Sequence, residues 1–146
     1  MNNKCPITNQ PAGLTSSWVA PSYADQSLFT EKCVTVVNIR ASGVNYPSVT
    51  LYGSLTVPKG TGPFPVVVLI GGSGPTNMDG SDYGTSSAYN KPYKDIAYGL
   101  SSQGVAVLRI NKRSAEVGRS AHGYICVCVG GVDANSLTVN ACDLLL

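Results

Sequence analysis

The segment that most limits what this chain can become is Pro65-Val66-Val67-Val68-Leu69-Ile70, an unbroken apolar run that stops at Gly71-Gly72-Ser73-Gly74-Pro75. Alternating residues would mark a strand with one wet face, whereas a continuous β-branched run marks a strand that wants cover on both. A second such run, Val105 to Ile110, follows, and the residues between carry helix punctuation. Asn90 is the candidate N-cap, Pro92 falls in the first turn where its missing N–H costs little, and Gly104 stands just past the end. Tyr93, Ile96, Ala97 and Leu100 recur at i, i+3, i+4 and i+7, one apolar stripe expected to lie on a sheet. Residues 65 to 110 therefore read as a βαβ unit with parallel strands and a right-handed crossover, and the fold class is α/β.

Upstream the pattern is different. Residues 1 to 31 are rich in Asn, Ser, Thr and Pro, with isolated anchors at Trp18, Tyr23 and Phe29, and read as an irregular lead-in. From Cys33 onward Val34, Val36 and Ile39 sit among polar residues. Then Val49, Leu51, Gly53, Leu55 and Val57 alternate with Thr50, Tyr52, Ser54 and Thr56. Two half-buried strands are expected, joined as a hairpin through the turn residues of Ala41 to Pro47. Residues 32 to 113 make up the folded unit. Residues 114 to 146 return to neither period and stay unassigned; Tyr124 to Val129 and Leu144-Leu145-Leu146 are the pieces able to pair as strands.

Composition excludes several classes of function. A chain of 146 residues with 43% hydrophobic and 12% charged residues is globular and long enough for one domain. Its net charge of +2 is small and its ten Lys and Arg residues are scattered, so no stripe favours nucleic acid. No apolar stretch follows Met1-Asn2-Asn3-Lys4-Cys5-Pro6, and no run of membrane-spanning length occurs. A soluble, cytoplasmic protein with no membrane partner is expected. The five cysteines (Cys5, Cys33, Cys126, Cys128, Cys142) lack zinc-type spacing and read as free thiols, although Cys126-Val127-Cys128 would put two thiols on one face if extended. Neither a metal nor a cofactor is expected.

The Gly-rich loop admits three chemistries beside a plain chain reversal. A phosphate-binding loop needs Gly-Lys-Ser or Gly-Lys-Thr at the start of a helix, and neither Lys nor helix is there. A dinucleotide fingerprint must open directly into its helix, yet Gly72-Ser73-Gly74 runs on to Pro75, Thr76 and Asn77. The third is an oxyanion hole, in which backbone N–H groups after a central strand stabilise a tetrahedral intermediate, each donor contributing about 3 kcal/mol. Ser73 does not read as a nucleophile, because a nucleophile elbow is Gly-x-Ser-x-Gly passing straight into a helix and here Pro75 stands in the last position.

The order and wording of the motifs resemble the esterase and dienelactone-hydrolase-like branch of the α/β-hydrolase superfamily. The matching stretches are Phe29-Thr30-Glu31, Gly53-Ser54-Leu55-Thr56-Val57-Pro58, Gly62-Pro63-Phe64-Pro65 with the following strand, and Gly72-Ser73-Gly74-Pro75. Asn90-Lys91-Pro92-Tyr93-Lys94-Asp95-Ile96-Ala97 and Gly104-Val105-Ala106-Val107-Leu108-Arg109 with Lys112-Arg113 complete the set. The resemblance covers about residues 18 to 113 and implies the N-terminal part of the hydrolase sheet, an antiparallel hairpin followed by a βαβ unit. It assigns the oxyanion role to Gly72, Ser73 and Gly74, with Ser73 N–H the foremost donor. The sequence departs from the pattern at Gly71, where the family has His, and at Thr76-Asn77-Met78-Asp79, where an Asn-Asp-Arg-Asp-like run is usual.

The family's nucleophile Ser, acid and His come later in the chain. No Gly-x-Ser-x-Gly occurs in this sequence, and the single histidine, His122, lies in the unmatched tail without a motif around it. The resemblance thus implies the N-terminal fragment of a serine-type hydrolase acting on small-molecule carboxylic esters, inactive alone for want of a triad. It also implies that the Val66 strand forms an exposed edge open to self-association. The alternative from another class is a non-catalytic binding or interaction module that uses that edge or the cleft.

Overall fold

The computed structural model describes residues 18–38, 49–71, 76–81, 90–112, 128–132 and 137–140. A mixed four-stranded sheet is built from β1 (Phe29–Asn38), β2 (Val49–Pro58), β3 (Val66–Leu69) and β4 (Ala106–Ile110), in the order β1-β2-β4-β3. β1 and β2 form the expected antiparallel hairpin, in register from Phe29 opposite Pro58 to Asn38 opposite Val49. β2 runs antiparallel to β4, and β3 lies parallel to β4 with Val66 opposite Ala106. The helix α1 (Pro92–Ser102) connects the parallel pair. The architecture is α/β-like, as the two apolar runs require.

The two faces of this sheet differ in chemistry. Leu51, Leu55, Val57, Ala106, Leu108 and Ile110 form one buried apolar cluster, with Val34, Phe64, Val66 and Val68 packed against it. Each fully buried side chain of this size contributes about 1.5–3 kcal/mol. The opposite face, which α1 covers through Ala97, Tyr98 and Ser101, is largely polar: Ser54, Thr56 and Arg109 are all at most 2% exposed. Ser101 donates to Thr56 Oγ1 at 2.6 Å, and Thr56 donates to the carbonyl of Val107 at 3.3 Å, so these hydroxyls are satisfied within the interface.

Several local expectations need correction. β1 begins at Phe29, inside the stretch read as irregular, because Phe29 is buried against the Tyr98 ring, with centroids 4.8 Å apart. Trp18 is likewise anchored: its ring meets Tyr98 edge-on at 5.3 Å, and its indole N–H donates to Asp95 at 2.8 Å. Ser54 and Thr56, expected on a wet face, are buried because α1 covers them.

Asn90 does not cap the helix. The capping position is Lys91, with no side-chain cap bond, and the Asn90 carbonyl instead accepts the Ser81 hydroxyl at 2.5 Å. The buried stripe is Ala97, Tyr98 and Ser101, leaving Ile96 45% exposed, since the sheet face below offers hydroxyls and charges as partners. Pro92 does sit in the first turn, and Gly104 at φ 87° ends the helix in a conformation that suits only glycine well.

β3 is shorter than the run that predicts it. Its four residues are half-buried, among the described residues it has a ladder partner on one side only, and Ile70 just beyond it is 57% exposed. In the region left unassigned, β5 (Cys128–Val132) and β6 (Leu137–Asn140) pair antiparallel, and β5 approaches β3. β5 takes in Cys128 and Val129 of the Tyr124 to Val129 piece; the rest of that piece and Leu144 to Leu146 lie outside the described residues. Cys33, expected as a free thiol, is disulfide-bonded. The side chains of Cys126 and Cys128 lie outside the described ones.

Candidate functional site

Because β3 and β4 are parallel, their carboxyl ends emerge at one border of the sheet, the place where open α/β sheets bind ligands. Ile70 and Gly71 leave β3 there, while Asn111 and Lys112 leave β4. Gly72, Ser73 and Gly74 fall outside the described residues, as does His122, but both ends of the loop are on view. A Cβ built on Gly71 would lie 3.1 Å from Lys112 Cδ and 3.5 Å from Thr76 Cβ, so the chain enters and leaves the loop through a narrow neck beside the Lys112 stem.

The segment after the neck is a tight, internally bonded turn. Asn77 N–H donates to the Ser81 carbonyl at 3.1 Å, and Gly80 N–H donates to the Asn77 carbonyl at 3.0 Å. The Asn77 side-chain oxygen accepts from the N–H groups of Asp79 and Ser81, at 2.9 and 3.0 Å. Asn is suited to this work because its short amide reaches its own backbone two residues on. Thr76, Met78, Asp79 and Ser81 are all buried, unusual for a loop and a sign that it is held from outside.

It is held by β4 and by α1. Met78 N–H donates to Asn111 Oδ1 at 2.7 Å, and Tyr93 N–H at the head of α1 donates to the Asp79 carbonyl at 3.1 Å. Arg109, 1% exposed, spans two carboxylates: Nη1 bonds Asp79 and Nη2 bonds Glu31 on β1. Lys91 Nζ takes the second Asp79 oxygen at 3.0 Å. Glu31 also accepts from Ser54 Oγ at 2.5 Å and from Tyr98 Oη at 2.7 Å. Two cations thus face two anions in a closed network, the arrangement that makes buried charge tolerable. Arg109 Nε, among the described buried side-chain atoms, has no hydrogen-bond partner.

Electrostatics decides what this network can do. Burial raises the Glu31 carboxyl, but the hydroxyls of Ser54 and Tyr98 and the Arg109 charge outweigh it, and its pKa falls below the ordinary carboxylate value. Burial, reinforced by the Glu31 hydrogen bond and charge, holds the Tyr98 phenol well above its ordinary pKa. Lys94, whose ammonium lies 4.4 Å from the Trp18 ring centroid, is lowered by burial against the pull of Glu31 and Asp79. A carboxylate fixed in its charged form with both oxygens bonded is a poor proton carrier near neutral pH. The network braces the turn and lacks the character of an acid–base pair.

Sequence reasoning marks the Gly-rich loop and misses its brace. Arg109 passes as one member of a buried strand, and Glu31 as the end of a lead-in. The signal lay in a lone Arg inside Val105 to Ile110, since a charge in a run that must be covered on both faces requires a buried counter-charge. Among the described residues, no group of three or more His, Cys, Asp or Glu could hold a metal, and no helix is long and apolar enough to cross a membrane.

No family profile matches the chain, and no solved structure matches it. A curated protein does: over 94 residues the chain is 47% identical to Esterase EstD of Thermotoga maritima, a stretch that covers 64% of this chain and 19% of that protein. The chain spans about a fifth of the length of the curated relative it matches. What it is similar to is a piece of an esterase.

Proposed function

We propose that residues 32 to 113 are the N-terminal part of an α/β-hydrolase domain and supply half of an oxyanion hole to a serine-type carboxylic-ester hydrolase. Gly72, Ser73 and Gly74 are the donors, with Ser73 N–H foremost. The observation that carries this reading is the 47% identity to an esterase over 94 residues of the chain. The geometry supports it, because the loop leaves the carboxyl end of β3 beside that of β4, where donors can face a bound carbonyl. A nucleophile Ser, an acid and a His are required in addition, and this sequence presents no motif for them. The chain alone is therefore inactive towards esters, and the substrate class, small-molecule esters, belongs to the whole enzyme. A soluble, cytoplasmic setting is part of the same reading.

A chimera tests it. The matched 94-residue stretch of this chain is exchanged for its counterpart in the Thermotoga esterase. Hydrolysis of p-nitrophenyl esters is expected to persist, and to fall about 100-fold or more if the foremost oxyanion donor is lost by replacing Ser73 with Pro. A folded chimera without activity would refute the proposal.

A second reading rests on the sheet border. Among the described residues β3 is laddered on one side only, and Ile70 is 57% exposed beside it, which favours a module that recruits a strand by self-association. A monodisperse dimer in sizing experiments supports this reading, and a monomer refutes it.

A further inference from the structure

Residues 18 to 28, which precede the sheet, follow α1 from its first turns to its last. Trp18 donates its indole N–H to Asp95 and meets Tyr98 edge-on, and the Lys94 ammonium lies 4.4 Å from its ring centroid. Tyr23 lies on Gly99, where a built Cβ would come within 2.8 Å of Tyr23 Cε2. The Asp25 carbonyl accepts the Ser102 hydroxyl at 3.3 Å. The helix residues touched, Asp95, Tyr98, Gly99 and Ser102, are spaced i, i+3, i+4 and i+7, which is one stripe of an α-helix. The sheet takes the neighbouring stripe of Ala97, Tyr98 and Ser101, so Tyr98 serves both. Glycine is a poor residue for a helix interior, and the Tyr23 ring above it explains why one stands at position 99.

We infer that residues 18 to 28 form a latch over α1, hinged where they enter β1 and caught at Trp18, which opens while the sheet and the helix stay folded. The hinge end is firmly tied. Lys59 N–H donates to the Leu28 carbonyl at 2.8 Å, the Asp25 carboxylate accepts from Ser27 N–H at 2.9 Å, and Phe29 is already in the ladder opposite Pro58. The span between hinge and catch is held weakly. None of residues 18 to 28 is buried, with Val19 81% and Tyr23 64% exposed, so little apolar area resists opening. The sheet beneath holds a cluster of fully buried side chains, and segments with few buried apolar contacts open at a lower free energy than such a core. Opening uncovers two groups at once. Tyr98 loses the ring that meets its edge, and Lys94 loses the nearer of its two aromatic neighbours, keeping the Tyr98 ring at 5.3 Å. The latch runs along α1, and the inference is independent of how the Gly-rich loop is used.

Gly99→Ala in the 146-residue chain is the test, because its two effects point in opposite directions. As a helix substitution it strengthens α1, and as a wedge under the Tyr23 ring it lifts the latch. Acrylamide quenching of Trp18, the single tryptophan, reads the catch, while amide hydrogen exchange reads α1 and β4. Quenching is expected to rise about twofold, with α1 and β4 amides keeping at least their wild-type protection. A second variant, Trp18→Phe, removes the donor to Asp95 and leaves Gly99 in place. In both variants acetylation of Lys94 by sulfo-N-hydroxysuccinimide acetate, mapped by mass spectrometry against the exposed Lys59, is expected to quicken about fivefold. Unchanged quenching in Gly99→Ala, or wild-type labelling of Lys94 in either variant, overturns the latch. Faster exchange throughout α1 and β4 also overturns it, since the segment then opens only when the whole fold does.

Discussion

Replacing Arg109 with Met keeps the length and apolar stem of the side chain and removes only the guanidinium, leaving two carboxylates without their shared partner. Breaking a buried pair from one side costs about 3–5 kcal/mol, chiefly for stranding the other charge. Asp79 is 7% exposed but keeps Lys91 at 3.0 Å, and Glu31, 29% exposed, keeps two hydroxyl donors and some water. The lower end applies, about 3 kcal/mol, a large share of the 5–15 kcal/mol that small domains possess. With a urea slope of about 1.5 kcal/mol/M the unfolding midpoint falls by about 2 M. The single tryptophan, Trp18, packs on Tyr98 and reports the transition by fluorescence, with far-UV circular dichroism as a second probe. Restoring neutrality with Glu31→Gln and Asp79→Asn in the same chain is expected to recover most of the loss. A midpoint shift below about 0.5 M for Arg109→Met would refute the claim that these charges depend on one another.

Two pH effects and one packing effect follow from the same interface. Glu31 titrates below its unfolded value of 4.5, so its contribution is complete above that pH and is lost as pH falls through the lower folded value. Acid titration of stability should therefore be flattened in Glu31→Gln, and an unchanged profile would count against it. Tyr98 has the opposite sign: its raised pKa keeps the proton in the folded state, so stability is present below 10.0 and is lost as pH rises beyond it. Alkaline melts of wild type and Tyr98→Phe should diverge only above that pH. A Cβ at Gly53 would lie 2.5 Å from the Arg109 carbonyl oxygen, so Gly53→Ala forces β2 and β4 apart. It should cost about 1–3 kcal/mol in calorimetry, and an unchanged melting temperature would contradict the close packing of these strands.

The parts of this fold that were legible in the sequence are those written in periods and breakers. The unbroken run at Val66, the all-buried run at Ala106 and the Gly104 stop needed no knowledge of tertiary contacts. What escaped was decided by partners distant in sequence. The helix turns Ala97, Tyr98 and Ser101 inward in place of Tyr93 and Ile96 because the face beneath it carries Ser54, Thr56 and Arg109. That polar face looks solvated to any rule that counts alternation along one strand. Asn90 failed as a cap for a related reason: its carbonyl serves Ser81 across a turn. The loop could be singled out by composition, whereas its brace joins Glu31, Asp79 and Arg109, residues separated by as many as 78 positions. Only the buried Arg hinted that such partners must exist.

The function proposed above is that the chain holds the means to stabilise a negative oxygen and lacks the means to generate one. Incubating the purified 146-residue chain with p-nitrophenyl acetate, in wild-type and Ser73→Ala forms, addresses it directly. Both forms are expected to release p-nitrophenol no faster than buffer. Clear turnover that survives Ser73→Ala would show a nucleophile elsewhere in the chain and contradict the account.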